Sequence, residues 1–187
     1  MVALLGASDE LAGEVCAEIE RRGEGPVVVA NLNAPGQVVL SGSRAGIDAA
    51  IALARERGVR KAMPLNVSGA FHSPLMAEAA DRVGVLIDGT PFAPARVPVA
   101  CNVDGVAVSD PEGLRARLRC QLVSPVRWVD CVGTLGDLGA QALVELGPGS
   151  VLSGLARRIA PELRTLPVAR VEELAGLGDR LEAAVHG

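Results

Sequence analysis

Tyrosine is absent from these 187 residues, and two phenylalanines and one tryptophan bring the aromatic share to only 2%. The core must therefore be built from Val, Leu, Ile and Ala. Lysine is nearly missing too: Lys61 stands alone among 18 basic residues, the rest being arginine. The net charge is −4 and the arginines are scattered, apart from Arg115, Arg117 and Arg119 at alternating positions. That pattern gives no basic surface of the kind that holds nucleic acid. No apolar run approaches the roughly 20 residues that cross a bilayer. The opening MVALLGASDE has neither the basic start nor the long apolar stretch of a secretory leader, so the chain reads as cytoplasmic. Cys16, Cys101, Cys120 and Cys131 form no CxxC and have no histidine at metal-ligand spacing. They read as buried free thiols in a reducing compartment rather than as a metal or disulfide framework. Histidine, the side chain that titrates nearest neutral pH, occurs at His72 and His186 only.

What is present is an ordinary globular composition, 49% hydrophobic and 21% charged, in a chain long enough to bury roughly 70% of its unfolded surface. Val2 to Gly6 predicts a short strand. Ser8, Asp9 and Glu10 supply a cap and negative charge for a helix to about Arg22, ended by Gly23 and Gly25. PVVVANLN and QVVLSG predict two strands joined by Ala34-Pro35-Gly36. Ser43 opens a second helix ending at Gly58, and RKAMPLNVS returns as a strand. The order β-α-β-β-α-β predicts a ferredoxin-like subdomain over residues 1–67.

Residues 68–187 change texture. A helix is expected from Pro74 to about Gly89 and a strand from Val97 to Val103. Helices follow over about Glu112 to Leu122 and Val126 to Leu138, split by Ser124-Pro125. Ala142 to Gly147 is an apolar run of the buried parallel-sheet type. A helix from Ser150 to about Ile159, a strand near Leu166 to Val168 and a helix from Val171 to Val185 complete the pattern. Two or three strands with five helices do not close a doubly wound layer, because parallel sheets need several strands and both faces covered. This region is therefore expected to pair with further polypeptide.

His72 lies in NVSGAFHSPLM, just past a strand and after the small residues Ser68, Gly69 and Ala70. A histidine there is either satisfied by backbone hydrogen bonds in a connection or serves as a neutral base near pH 7.5. A base needs a nucleophile, and no G-x-S-x-G elbow occurs: Ser41, Ser68 and Ser150 all fail the pattern. Ser73 adjoins the histidine in sequence, where side-chain directions disfavour a productive pair. GPGS before a helix reads either as an anion cradle or as a plain connection.

The motifs NLNAPGQVVLSG, NVSGAFHSPLM, QLVSPVRW and ELGPGSVLSGL occur in the order and spacing of malonyl-CoA:acyl-carrier-protein transacylases. The chain resembles that acyltransferase family from about Val2 to Leu166. The resemblance implies an α/β fold in which the ferredoxin-like βαββαβ subdomain (residues 1–67) is followed by the C-terminal part of an α/β-hydrolase-like parallel-sheet subdomain (residues 68–187). It implies transfer of a malonyl group from malonyl-CoA, through a serine ester, to the phosphopantetheine thiol of acyl carrier protein, without a cofactor. His72 matches the family's general base, and Gln121 the residue whose backbone carbonyl orients it. Phe71 matches the malonyl-type pattern, in which a bulky ring fills the room of an α-methyl, a discrimination of about 1–3 kcal/mol. Asn33 and Gln37 are either turn residues or part of the acyl and pantetheine entrance.

The departures are large. The family's oxyanion-hole GQG loop, its GHSxGE elbow and the arginine that pairs the malonyl carboxylate are absent from the 187 residues, and are expected upstream. Oxyanion donors and nucleophile carry most of the rate in such chemistry, so the isolated chain is expected to be inactive. Two other readings stand beside a C-terminal fragment: a non-catalytic module that docks carrier protein, and one half of a split transacylase completed by a separate N-terminal half.

Overall fold

The computed structural model describes residues 1–186. Strands β1 (Val2–Leu5), β2 (Val27–Ala34), β3 (Gln37–Gly42) and β4 (Lys61–Pro64) alternate with helices α1 (Asp9–Arg21) and α2 (Arg44–Glu56). They form a sheet in the order β4-β1-β3-β2, with every neighbouring pair antiparallel. This is the ferredoxin-like strand order. The period-2 pattern puts Val2, Leu4, Val38, Leu40 and Ala62 on one face. Ala12, Val15 and Ile19 of α1 and Ile47, Ala50 and Leu53 of α2 close over them. Ser8 and Ser43 cap the two helices by accepting from the N–H groups of Leu11 (3.2 Å) and Gly46 (3.1 Å). Pro35 and Gly36 turn β2 into β3, with Gly36 at φ +72°, the left-handed second turn position that favours glycine.

Beyond β4 come a 3-10 turn (Pro74–Met76), α3 (Ala77–Gly89), β5 (Val99–Ala100), β6 (Ala107–Val108) and α4 (Pro111–Cys120). A 3-10 turn (Gln121–Val123), β7 (Val126–Arg127), α5 (Trp128–Asp137), β8 (Ala142–Leu146), α6 (Val151–Ile159) and β9 (Arg164–Val168) follow, then a 3-10 turn (Val171–Gly176) and α7 (Leu177–His186). β8 and β9 form a two-stranded parallel sheet. A small second core gathers Val132, Ala156, Ala160 and Leu163, with Trp128, Leu143 and Ile159 packed against it.

Several expected elements differ: the strand expected over RKAMPLNVS stops at Pro64, and the helix expected from Val171 opens as the 3-10 turn Val171–Gly176. The strand predicted over Val97 to Val103 shrinks to Val99–Ala100 because the chain folds back at once: Gly105, at φ +74°, donates to the Cys101 carbonyl (2.8 Å), and Asp104 accepts from the N–H of Val106 (3.1 Å). The helix predicted from Val126 starts at Trp128, since Val126 and Arg127 pair in parallel with Asn31 and Leu32. The first sheet thus gains a fifth strand from outside residues 1–67. Pro74 opens a 3-10 turn before α3 rather than α-helix itself.

The alternating arginines are all used within the fold. Arg115 donates to the carbonyls of Ile87 (2.6 Å) and Thr90 (3.0 Å), closing the C-terminus of α3, and its guanidinium lies 4.7 Å from the Phe92 ring centroid. Arg117 pairs with Asp104 at 2.9 Å, and Arg119 with Asp88. Among the described residues no helix is long and apolar enough to cross a membrane.

Candidate active site

The site is built on a turn. Pro64, which cannot donate to a ladder, closes β4, and Ser68-Gly69-Ala70 bends the chain away. The Ser73 hydroxyl, fully buried, donates to the Ala70 carbonyl at 2.6 Å and locks the bend. At its apex His72 takes φ +60°, and it is the non-glycine residue with positive φ among those described. A residue with a β-carbon is held there only when its surroundings dictate it, and such positions gather at functional sites.

What dictates it is the 3-10 turn Gln121–Val123. The His72 N–H donates to the Leu122 carbonyl at 3.0 Å. The ring Nδ1 lies 3.0 Å from the Gln121 carbonyl and 3.2 Å from that of Ser124. The local sequence makes these carbonyls available. In a continuing helix the Gln121 carbonyl would accept from residue 125, but Pro125 has no N–H. The residue before a proline is driven into extended backbone, as Ser124 is at φ −115°, ψ 151°. The Gln121 side chain braces the turn by donating to the Ser124 carbonyl at 3.3 Å. Carbonyls only accept, so Nδ1 carries the proton and Nε2 presents its lone pair. The arrangement is half-buried and leaves Nε2 as the ring nitrogen without a hydrogen-bond partner among the described residues.

His72 and Gln121 are thus brought together, through the backbone carbonyl of the latter. The carbonyls of Leu122 and Ser124 were missed by sequence reasoning, although Ser-Pro at a helix end is the signal that could have found them. Phe71 is half-buried, and its ring folds over its own loop: a β-carbon on Gly69 would stand 3.5 Å from Cε2 and Cζ. Asn33 and Gln37 sit at the β2–β3 hairpin and are not hydrogen-bonded to His72. Further back in β2, Asn31 pairs with Val126 just after the carbonyl-bearing turn, and the parallel register carries the hairpin on from there away from that turn. Gln37 is engaged by Arg158, whose Nη1 donates to Gln37 Oε1 at 2.6 Å.

Among the described residues no hydroxyl or thiol is hydrogen-bonded to Nε2. Ser73 is committed to Ala70. Burial pushes the Cys16 thiol up to about 12 and that of Cys131 to about 11, so neither is a thiolate nucleophile near neutral pH. Cys101 is half-buried, and Cys120, contrary to expectation, is exposed. The GPGS turn does not offer an open anion cradle. The Glu145 carboxylate already accepts from the N–H groups of Leu152 (3.0 Å) and Ser153 (2.8 Å) at the start of α6. Two cavities flank the site. One of about 420 Å³ reaches Ser68, Gly69 and Ala70 from α2. The other, about 310 Å³, is lined by Phe92, Cys101, Leu118 and Gln121.

The comparisons with known proteins agree on one family. The acyl transferase domain model matches residues 1–177. The malonyl CoA-acyl carrier protein transacylase of Bacillus subtilis (strain 168) is 38% identical over 174 residues, covering 93% of this chain and 55% of the relative. A crystal structure of malonyl-CoA:acyl carrier protein transacylase from Xanthomonas oryzae superposes with a TM-score of 0.89 at 43% identity, covering 96% of this chain and 56% of that one. A type II polyketide-synthase acyl-carrier protein in complex with its malonyl-transacylase gives a TM-score of 0.89 at 33% identity, covering 96% of this chain and 57% of that one. The chain spans about half the length of the curated relatives it matches.

Proposed function

The chain belongs to the acyl transferase domain family, and from that premise we propose that it supplies the general-base half of a malonyl-CoA:acyl-carrier-protein transacylase. The observation that carries this reading is the imidazole of His72, its Nδ1–H held by the Gln121 and Ser124 carbonyls and its Nε2 free. In the proposed reaction a serine hydroxyl gives its proton to Nε2 while its oxygen attacks the thioester carbonyl of malonyl-CoA. The imidazolium, steadied by the two carbonyls, returns that proton to the departing CoA sulfur. The phosphopantetheine thiol of acyl carrier protein then gives its proton to Nε2 as its sulfur attacks the serine ester, and the imidazolium hands that proton to the departing serine oxygen, leaving malonyl on the carrier thiol and the free serine and neutral imidazole restored. Phe71 limits the acyl pocket to malonyl, and the Asn33–Gln37 hairpin borders the approach of the pantetheine arm.

The serine is not among these 187 residues, so we assign it to a separate segment that completes the site, with residues 1–67 and 68–187 as the small subdomain and the C-terminal part of the large one. Isolated, the chain does not transfer malonyl at a useful rate. The largely exposed Val85, Leu86, Leu146 and Val151 favour such a covering segment over a self-sufficient carrier-docking module. The buried free thiols Cys16 and Cys131 suit a reducing compartment, the cytoplasm. The test is covalent loading from radiolabelled malonyl-CoA. The chain alone should take up no label, and the chain co-expressed with a segment bearing the GHSxGE elbow should form an ester on the added serine. Label on the chain alone, or none in the complemented pair, overturns the proposal.

A further inference from the structure

The turn that holds His72 has two flanks: α4 runs into it at Gln121, and β7 leaves it at Val126. Both flanks are fastened to one short turn earlier in the chain, residues 101–106. That turn closes on itself, with Gly105 donating to the Cys101 carbonyl at 2.8 Å and Asp104 Oδ1 accepting from the Val106 N–H at 3.1 Å. On the β7 side, the Arg127 N–H donates to the Asn102 carbonyl at 2.8 Å, and Thr134 Oγ1 of α5 donates to the Gly105 carbonyl at 2.6 Å. On the α4 side, Arg117 Nε donates to Asp104 Oδ2 at 2.9 Å. Its Nη1 donates to the Gly113 carbonyl at 3.3 Å, one turn back in the same helix. The guanidinium is thus held from two directions, and each oxygen of Asp104 has its own task.

Packing does not set the distance between α4 and this turn beside Gln121. A cavity of about 310 Å³ lies there, lined by Cys101, Asn102 and Val103 of the turn and by Leu114, Leu118 and Gln121 of the helix side. Close-packed elements fix one another by contact, and across a cavity a polar link takes over that task. Arg115 and Arg119 tie α4 to the C-terminal end of α3, whereas Arg117 reaches across to the turn. Arg117 stands four residues before Gln121, one helical turn away on the same face.

We infer that Arg117 and Asp104 are a positioning pair for His72. By joining α4 to the turn that already holds β7, the pair keeps the Gln121 and Ser124 carbonyls at the spacing that clamps Nδ1. Among the described residues neither side chain is hydrogen-bonded to the imidazole, so the pair acts through the backbone. The role of His72 as a base rests on the function proposed above; the clamp rests on these distances alone.

The test has two arms. In the full 187-residue chain, 15N-labelled, hydrogen exchange of the His72 N–H and the 15N tautomer pattern of its ring report the clamp. Arg117→Met keeps an apolar stem against the cavity and removes the donor. It should speed His72 exchange about five- to tenfold, within the range of one net hydrogen bond, and mix the two neutral tautomers. Arg117→Lys, with one compact donor in place of the planar group, should fall between. Arg57→Met removes a pair of the same 2.9 Å length, to Glu14 in the first subdomain, and should leave His72 unchanged. In the complemented pair, Arg117→Met should lower kcat for malonyl transfer about five- to tenfold with KM unchanged, since orientation of the base is lost and not substrate binding. His72 exchange and tautomer in Arg117→Met that match wild type, or change no more than in Arg57→Met, overturn the inference. So does a raised KM with kcat intact. If no pair transfers malonyl while His72 still responds to Arg117, the base reading falls and the clamp stands.

Discussion

A left-handed backbone at His72 costs a residue with a β-carbon about 1–2 kcal/mol, and the turn keeps it because three carbonyls from one short segment converge on it. This gives a signature at the level of one residue. His72→Ala and His72→Gly both lose the imidazole, but only glycine is relieved of the strain. The glycine variant should be the more stable of the two by about 0.5–1 kcal/mol in urea melts, after the greater entropy of its unfolded chain is deducted. An alanine variant more stable than the glycine one would show that φ +60° is not imposed. The ring makes its own prediction. Its 15N NMR pattern at neutral pH should show the neutral form protonated on Nδ1, and an Nε2-protonated ring would contradict the assignment. Little of this was legible in the sequence. His72 stood out by scarcity and by motif, but its partners are backbone carbonyls, which have no residue-type signature. Gln121 was reached only through the family pattern.

The elements that matter most here end where proline ends them. Pro125 denies the Gln121 carbonyl its helical partner, and the carbonyl goes to His72 instead. Pro125→Ala restores an N–H that competes for it. The variant should gain helical content by circular dichroism after α4 while malonyl transfer in the complemented pair falls about tenfold, a loss of about 1.4 kcal/mol of orientation. Unchanged transfer would mean that Ser124 alone orients the ring. Helix α1 carries a different test. Arg21 and Arg22 hydrogen-bond Glu18 and draw its carboxyl down to about 2 from an ordinary 4.5. A depressed carboxylate contributes stability above its unfolded value and loses it as pH falls from about 4.5 through 2. Stability differences between wild type and Glu18→Gln should therefore vanish over that interval, and should shrink in high salt because the cluster is exposed. A difference that stays undiminished as pH falls from 4.5 to 2 would refute the pairing. At this scale the sequence was far more readable: the periodic runs and serine caps of the first 64 residues gave each strand and helix in order. The two-residue strands β6 and β7 escaped and β5 was expected longer, since so short a segment has no period to read, and they form from turns and pairing between distant segments rather than from local propensity.

Across the whole molecule, burial is uneven. The first sheet and its two helices share a deep aliphatic core, whereas the second core gathers only Val132, Ala156, Ala160 and Leu163 as its buried members. Among the described residues the parallel pair β8–β9 has no third strand, and Leu146 at its end and Val151 just beyond are largely exposed. Parallel sheets of two strands are rarely left uncovered. The sequence foretold this deficit from the strand count alone. It did not foretell that β7, just after the carbonyl-bearing turn, would join the first sheet through Asn31 and Val126. The account turns on His72 acting as the base once a serine is supplied. The measurement that tests it most directly is the rate of malonyl transfer to a phosphopantetheine thiol by the complemented pair, wild type against His72→Ala at equal folded concentration. The rate should fall by about 10²–10⁴ in the variant, and a rate within about threefold of wild type would contradict the account.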